Sequence, residues 1–144
     1  MFVNLGVLTT LIRKDSFIEG ISFGCKKTIE LISHIFEETS CDDINYLLKI
    51  TDIEATINTL DYFVKDIPEK NEADSLHIAL SNLNNIIKEL TSILIDIDKK
   101  SEYHKTKYFS RYRTISYIPE IKQLKTNIAI LLIRFDLLIK ILNN

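Results

Sequence analysis

The sequence predicts an all-α protein, an antiparallel up-down four-helix bundle with a basic-aromatic linker between its third and fourth helices. Three observations carry this expectation. Apolar residues recur at steps of three and four almost throughout the 144 residues, the spacing of a helix face. Three Gly and two Pro are too few for a turn-rich β sandwich. Matched lengths of the last two helical segments, with short connections, favour antiparallel neighbours.

The first helix is expected over residues 4–37, with Ile18, Ile21, Cys25, Ile29, Ile32 and Ile35/Phe36 facing the core. Gly6, Gly20 and Gly24 each cost about 1 kcal/mol relative to Ala, so this helix should be soft, or broken near Asp15–Ser16. The second is expected over 42–66. Ser40 suits the N-cap, Asp43 sits three residues on, and Asp42 and Asp43 complement the helix dipole. Its stripe runs Ile44, Leu47, Leu48, Ile53, Ile57, Leu60, Phe63/Val64, and Pro68 ends it. The third is expected over 72–100. Leu76, Ala79, Leu83, Ile86, Leu90, Ile93 and Ile97 form a seven-residue repeat, which Leu80, Ile87 and Leu94 widen to a bundle-type face. The fourth is expected over 119–142, opened by Pro119 at a first helical position. Its stripe is Ile121, Leu124, Ile128, Leu131, Phe135, Leu138 and Leu142. Residues 1–144 read as one domain; a stand-alone bundle and the N-terminal part of a longer protein are both open readings.

The chain is 46% hydrophobic and 26% charged, which excludes a disordered polyelectrolyte. Two cysteines give neither a disulfide framework nor a zinc pattern, and a reduced, cytoplasmic setting follows. Residues 1–12 are too short to span a bilayer. Ile128–Leu142 is interrupted by Arg134, Asp136 and Lys140 and reads as a buried helix. Glu30–His34 and Asp74–His77 have helical spacing, but chance supplies such pairs among 20 acids. No metal or cofactor is expected, and no phosphate-binding glycine motif occurs. Cys25 falls on an apolar stripe, and Cys41 sits beside two acids that oppose thiolate formation. No enzymatic activity is expected.

Net charge is −2, but it is polarised. Residues 99–113 hold six Lys or Arg against one acid, whereas residues 37–74 hold eleven acids against three Lys. In the basic segment, cations alternate with Tyr103, Tyr108, Phe109 and Tyr112, and Tyr117 follows. Such a segment suits an anionic membrane surface, or, more plainly, a solvated loop whose tyrosines fold back over the bundle. Net acidity and the lack of a groove-reading motif argue against nucleic acid. Ser16, Gly20 and Gly24 form a small face at four-residue spacing. Together with the uncharged start it marks Phe2, Val3, Leu5, Leu8, Gly20 and Gly24 as candidates for membrane insertion. The plainer reading of that face is a kinked, tightly packed helix. The acidic second helix is either a solvated face or a resting partner for the basic segment.

Residues 75–142 carry a resemblance. A leucine-spaced helix, SLHIALSNLNNIIKELTSILIDIDKKS, is followed by HKTKYFSRYRT and a helix opening with Glu120, Ile121 and Leu124. This resembles the N-terminal four-helix-bundle domain of mixed-lineage kinase domain-like proteins, within the HeLo- and RPW8-type cell-death bundles. The resemblance implies a cell-death or immune signalling module, held inactive by a kinase-like or nucleotide-binding regulatory domain. On activation it would self-associate and bind or permeabilise anionic phospholipid membranes, as a cytoplasmic protein peripheral to the membrane. The lipid contacts it implies are Lys99, Lys100, Lys105, Lys107, Arg111 and Arg113. The alternative is a non-enzymatic adaptor or regulatory bundle that binds a protein partner.

Overall fold

A computed structural model of the chain describes residues 5–38, 41–106 and 116–143, with side chains from Lys14 onward. It is all-helical, with no strand among the described residues. Among the described residues, five helices stand where four were expected: α1 (Leu5–Glu38), α2 (Asp42–Ile50), α3 (Ile53–Lys65), α4 (Asp74–Thr106) and α5 (Ile118–Leu142).

Two boundaries differ for physical reasons. The expected second helix is broken at Thr51–Asp52. Asp52 takes left-handed backbone angles, φ 49° and ψ 41°, which Asp tolerates better than most side chains. The Thr51 hydroxyl donates to Leu47 O at 2.7 Å, a local bond that competes with helix continuation. Ser40, the expected cap, lies outside the described residues; Cys41 holds the capping position of α2 without a side-chain cap bond. The third expected helix runs six residues further than residue 100, to Thr106. Lys99, Lys100, Tyr103, His104 and Lys105 therefore sit on a helix, not in a linker. No Gly or Pro interrupts residues 74–106, and the apolar stripe passes from Ile97 to a buried Ser101. The first helix is not broken at Asp15–Ser16: α1 is continuous through Gly6, Gly20 and Gly24.

The expected stripes form the core. Ile21, Cys25, Ile32 and Ile35 of α1 meet Ile57, Leu60 and Val64 of α3 and the wide buried face of α4. All ten residues named for the third helix, Leu76 through Ile97, are buried. On α5, Leu124, Ile128, Leu131, Phe135 and Leu138 are buried, and Phe135 meets Phe63 of α3 with ring centroids 5.6 Å apart.

The most extensive helix contact joins α1 and α4, followed by α4 with α5 and α1 with α3. Facing pairs fix the directions. Gly20 faces Asn84, Gly24 faces Ile87, Thr28 meets Thr91 and His34 meets Asp98. The near-constant offset means that α1 and α4 run parallel. On α5 the order reverses: Arg134 donates to Asn82 O at 2.8 Å and Lys100 reaches Glu120, so α4 and α5 are antiparallel. The largest interface is thus between parallel helices, not the antiparallel neighbours that short connections suggest. The polar connection over residues 66–73 carries the chain across the end of the molecule.

Gly20 and Gly24 make the α1–α4 approach possible. A Cβ on Gly24 would lie 2.4 Å from Ile87 Cγ2; one on Gly20 would lie 2.9 Å from Asn84 Oδ1. Ile87 is β-branched and fully buried, so it cannot swing aside. The half-buried Thr91 donates its hydroxyl to Ile87 O at 2.8 Å, which leaves the buried Thr28 to donate to Thr91 Oγ1 at 3.1 Å. At the far end of α1, Lys14 is only 2% exposed. Its ammonium donates to Pro68 O and to Asn71 O at 3.1 Å, pinning the connection between α3 and α4.

Three stability predictions follow from these contacts. Gly24→Ala should destabilise by about 1–2 kcal/mol, overpacking outweighing the gain in helix propensity. Gly20→Ala should fall within about 1 kcal/mol of neutral, because the Asn84 side chain can yield while Ala favours the helix. Lys14→Ala should cost about 1–3 kcal/mol, since it removes a donor from Asn71 O and leaves Pro68 O with only the Asn71 N–H. Urea denaturation of the three variants checks all three.

Candidate functional site

Among the described residues, the cations that the sequence singled out, Lys99, Lys100 and Lys105, share one end of the molecule. The last turns of α1 and α4 meet there with the first turn of α5. Helix continuity places Lys99, Lys100, Tyr103 and Lys105 within two turns of α4, and the parallel α1 brings His34 and Glu38 alongside.

Of the three cations, Lys100 has the most partners. Its ammonium donates to Ser116 O and to Glu120 Oε1 at 2.7 Å, and it lies 5.3 Å from the centroid of the Tyr117 ring. Tyr117 is buried, and that burial is the largest influence raising its phenol above the ordinary range, against the hydrogen bond with Ser101, which lowers it. Tyr117 therefore plugs the junction of α4 and α5 and does not face outward, as an interfacial tyrosine would. Lys105 pairs with Glu38 of α1, whose carboxyl is held below its usual range first by that hydrogen bond and then by the lysine charge. Lys99 and Tyr103 are exposed one turn apart on α4.

Of the six implied lipid contacts, Lys99, Lys100 and Lys105 share this end. Lys107, Arg111 and Arg113 lie outside the described residues, as do Phe2 and Val3 among the insertion candidates. Leu5 and Leu8 belong to α1, with side chains outside the described ones. Gly20 and Gly24 are committed to the α4 contact, so their small face packs a helix here. Ser16, the third member of that face, is exposed. Among the described residues, no helix is long and apolar enough to cross a membrane.

One cluster was not legible from single-helix spacing. His34 Nδ1 is 2.5 Å from Asp98 Oδ1, and its Nε2 is 4.0 Å from Glu102 Oε1. Asp98 and Glu102 are one turn apart on α4, so both carboxylates face α1. Glu38, one turn beyond His34, adds a third. His34 pairs across to α4 and not with Glu30, the acid at helical spacing on its own helix, a spacing that chance supplies. The signal was present only as a pair of repeats, His34/Glu38 and Asp98/Glu102, whose relation depends on the parallel register. His34 is raised above its ordinary 6.5 by the hydrogen bond to Asp98, then by the charges of Asp98, Glu102 and Glu38, against desolvation.

Elsewhere among the described residues the chemistry is quiet. Burial, with help from the Asp61 charge and against that of Lys65, pushes the Cys25 thiol up to about 12. That is the opposite of what a thiolate nucleophile needs. Asp61 is itself buried and pairs with Lys65 at 3.3 Å, one turn on. A groove of about 430 Å³ between α4 and α5, lined by Glu89, Asp96, Lys122 and Gln123 among others, lies open at the surface. No family model, curated protein or solved structure matches the chain.

The His34 contacts set a pH dependence. A raised folded pKa means that the stabilisation is complete below the ordinary value and is lost as pH rises through the folded one. The stability gap between the parent chain and His34→Gln should therefore be wider at about pH 6 than at about pH 9. In NMR titration, the His34 midpoint should lie above 6.5 and fall back in Asp98→Asn.

Proposed function

We propose that the chain is a non-catalytic signalling module that acts through anionic membranes. In this reading α2 and α3 serve together as one leg, and the molecule works as a four-helix bundle of the cell-death type that its sequence resembles. The observation that carries the reading is the gathering of Lys99, Lys100 and Lys105, with exposed Tyr103, on the last two turns of α4. They lead directly into the segment that contains Lys107, Arg111 and Arg113.

The contacts of this end support a resting state. Glu120 and Glu38 draw Lys100 and Lys105 onto α5 and α1, which lowers the positive charge offered to a surface. The Lys105–Glu38 pair is exposed and pairs of that kind add little, so a bilayer that attracts each cation near its surface competes with Glu38 for Lys105. Lys100, half-buried among Ser116, Glu120 and Tyr117, is held more firmly. Release of the lysines would leave α1 and α5 less firmly tied to α4. That is a route from surface binding to self-association or leakage.

Co-sedimentation with phosphatidylserine-containing vesicles tests the proposal. Binding should require the anionic lipid and fall as salt rises. Replacing Lys105, Lys107, Arg111 and Arg113 together by Glu should abolish it while circular dichroism stays unchanged. Glu38→Gln, which frees Lys105, should strengthen binding about fivefold, the worth of one released cation. Salt-insensitive binding, or no binding to anionic vesicles, would leave the protein-docking alternative in its place.

A further inference from the structure

We propose that His34, Asp98 and Glu102 form a binding site for a divalent transition-metal ion of the zinc type, bridging α1 and α4. The proposal does not depend on the membrane reading. It rests on donor chemistry, separation and charge.

The donor set is one imidazole and two carboxylates, and one ligand atom from each lies within 4.8 Å of the others. Zinc bonds such atoms at about 2.0–2.2 Å, which holds ligand atoms of a tetrahedral site about 3.3 Å apart. Closing the set therefore needs side-chain rotation only. The side chains have the freedom to do so: His34 is 40% exposed and Glu102 59%. Asp98, at 18%, is the fixed member. Asp98 and Glu102 stand one turn apart on a continuous helix, with His34 opposite on a helix held in parallel register by the Gly20 and Gly24 contacts. The backbone is thus arranged before any ion arrives. Three protein donors leave a fourth position for water, the pattern of an open zinc site. The imidazole favours zinc, copper or nickel over magnesium or calcium, which prefer all-oxygen shells.

The local charge agrees. Glu38 is neutralised by Lys105, so with a neutral imidazole the Asp98 and Glu102 carboxylates leave two uncompensated negative charges. A divalent cation balances them. The site escapes a search for spacing within one helix because its ligands come from two helices 60 residues and more apart in sequence.

The test uses the full chain stripped with a chelator. ZnCl₂ is titrated by calorimetry, and CoCl₂ is followed by visible absorption. Wild-type protein should bind one equivalent, with cobalt bands of nitrogen and oxygen ligation. Affinity should fall at least tenfold in both His34→Ala and Glu102→Gln, and stay unchanged in His104→Ala, whose side chain points away from Glu102 around α4. Zinc should raise the melting temperature of the parent chain and not that of Glu102→Gln, a surface change that leaves the fold intact. Three results would overturn the assignment. These are the absence of zinc binding, binding indifferent to both substitutions, and a thiolate-to-cobalt charge-transfer band, which would put the metal on Cys41.

Discussion

The close approach of α1 to α4 at Gly24 is the constraint on which the rest of the molecule depends. Missing side-chain bulk on one helix lets the fully buried Ile87 of the other occupy the gap. That contact fixes the register of two long parallel helices, and the register decides every pairing beyond it. Thr28 finds Thr91, His34 finds Asp98, and Glu38 finds Lys105. α4 then carries the load of the fold, with one side against α1 and another against α5. This explains why its buried face is broader than a two-residue heptad stripe. The intrinsic cost of glycine in a helix is offset here by an interface that a larger residue would push apart.

Polar groups inside the molecule are few and specifically placed. Lys14 is buried against backbone carbonyls of the connection that crosses from α3 to α4. Its position secures a segment that spans the end of the molecule without helical hydrogen bonds of its own. Asp61 is buried with Lys65 as its ion-pair partner, and it sits close enough to Cys25 to raise the thiol. Asn84 lies against Gly20 with a side-chain oxygen that lacks a partner. Buried groups of this kind cost stability when left unpaired.

Periodicity revealed most of the helical content and nearly all of the core. The heptad of α4 is the clearest case, because each step of three or four keeps a residue on one face. Pro119 likewise marked the start of α5 to within a residue. The break at Thr51–Asp52 was visible only as a five-residue step from Leu48 to Ile53, too long for one helix face and easily passed over beside intact repeats. The extension of α4 to Thr106 was hidden by composition, since Lys and Tyr alternation looks like a loop while being acceptable to a helix. The parallel pairing could not be read at all. It depends on which helices become neighbours, and apolar stripes do not encode that choice. The His34 cluster was illegible for the same reason, whereas the cations of the candidate membrane surface were legible because they are contiguous in sequence.

The interface of α1 with α4 changes character along its length. Near Gly20 and Gly24 the backbones approach closely against Asn84 and Ile87. Beyond Thr28 a run of hydroxyl, imidazole and carboxylate contacts forms a rim beside the buried Ile32, Ile35 and Ile97. Loss of the polar contacts alone therefore loosens only that rim. Parting the last turns of α1 from α4 would also expose the isoleucines beneath, so apolar burial keeps these turns docked even while their charged side chains change partners.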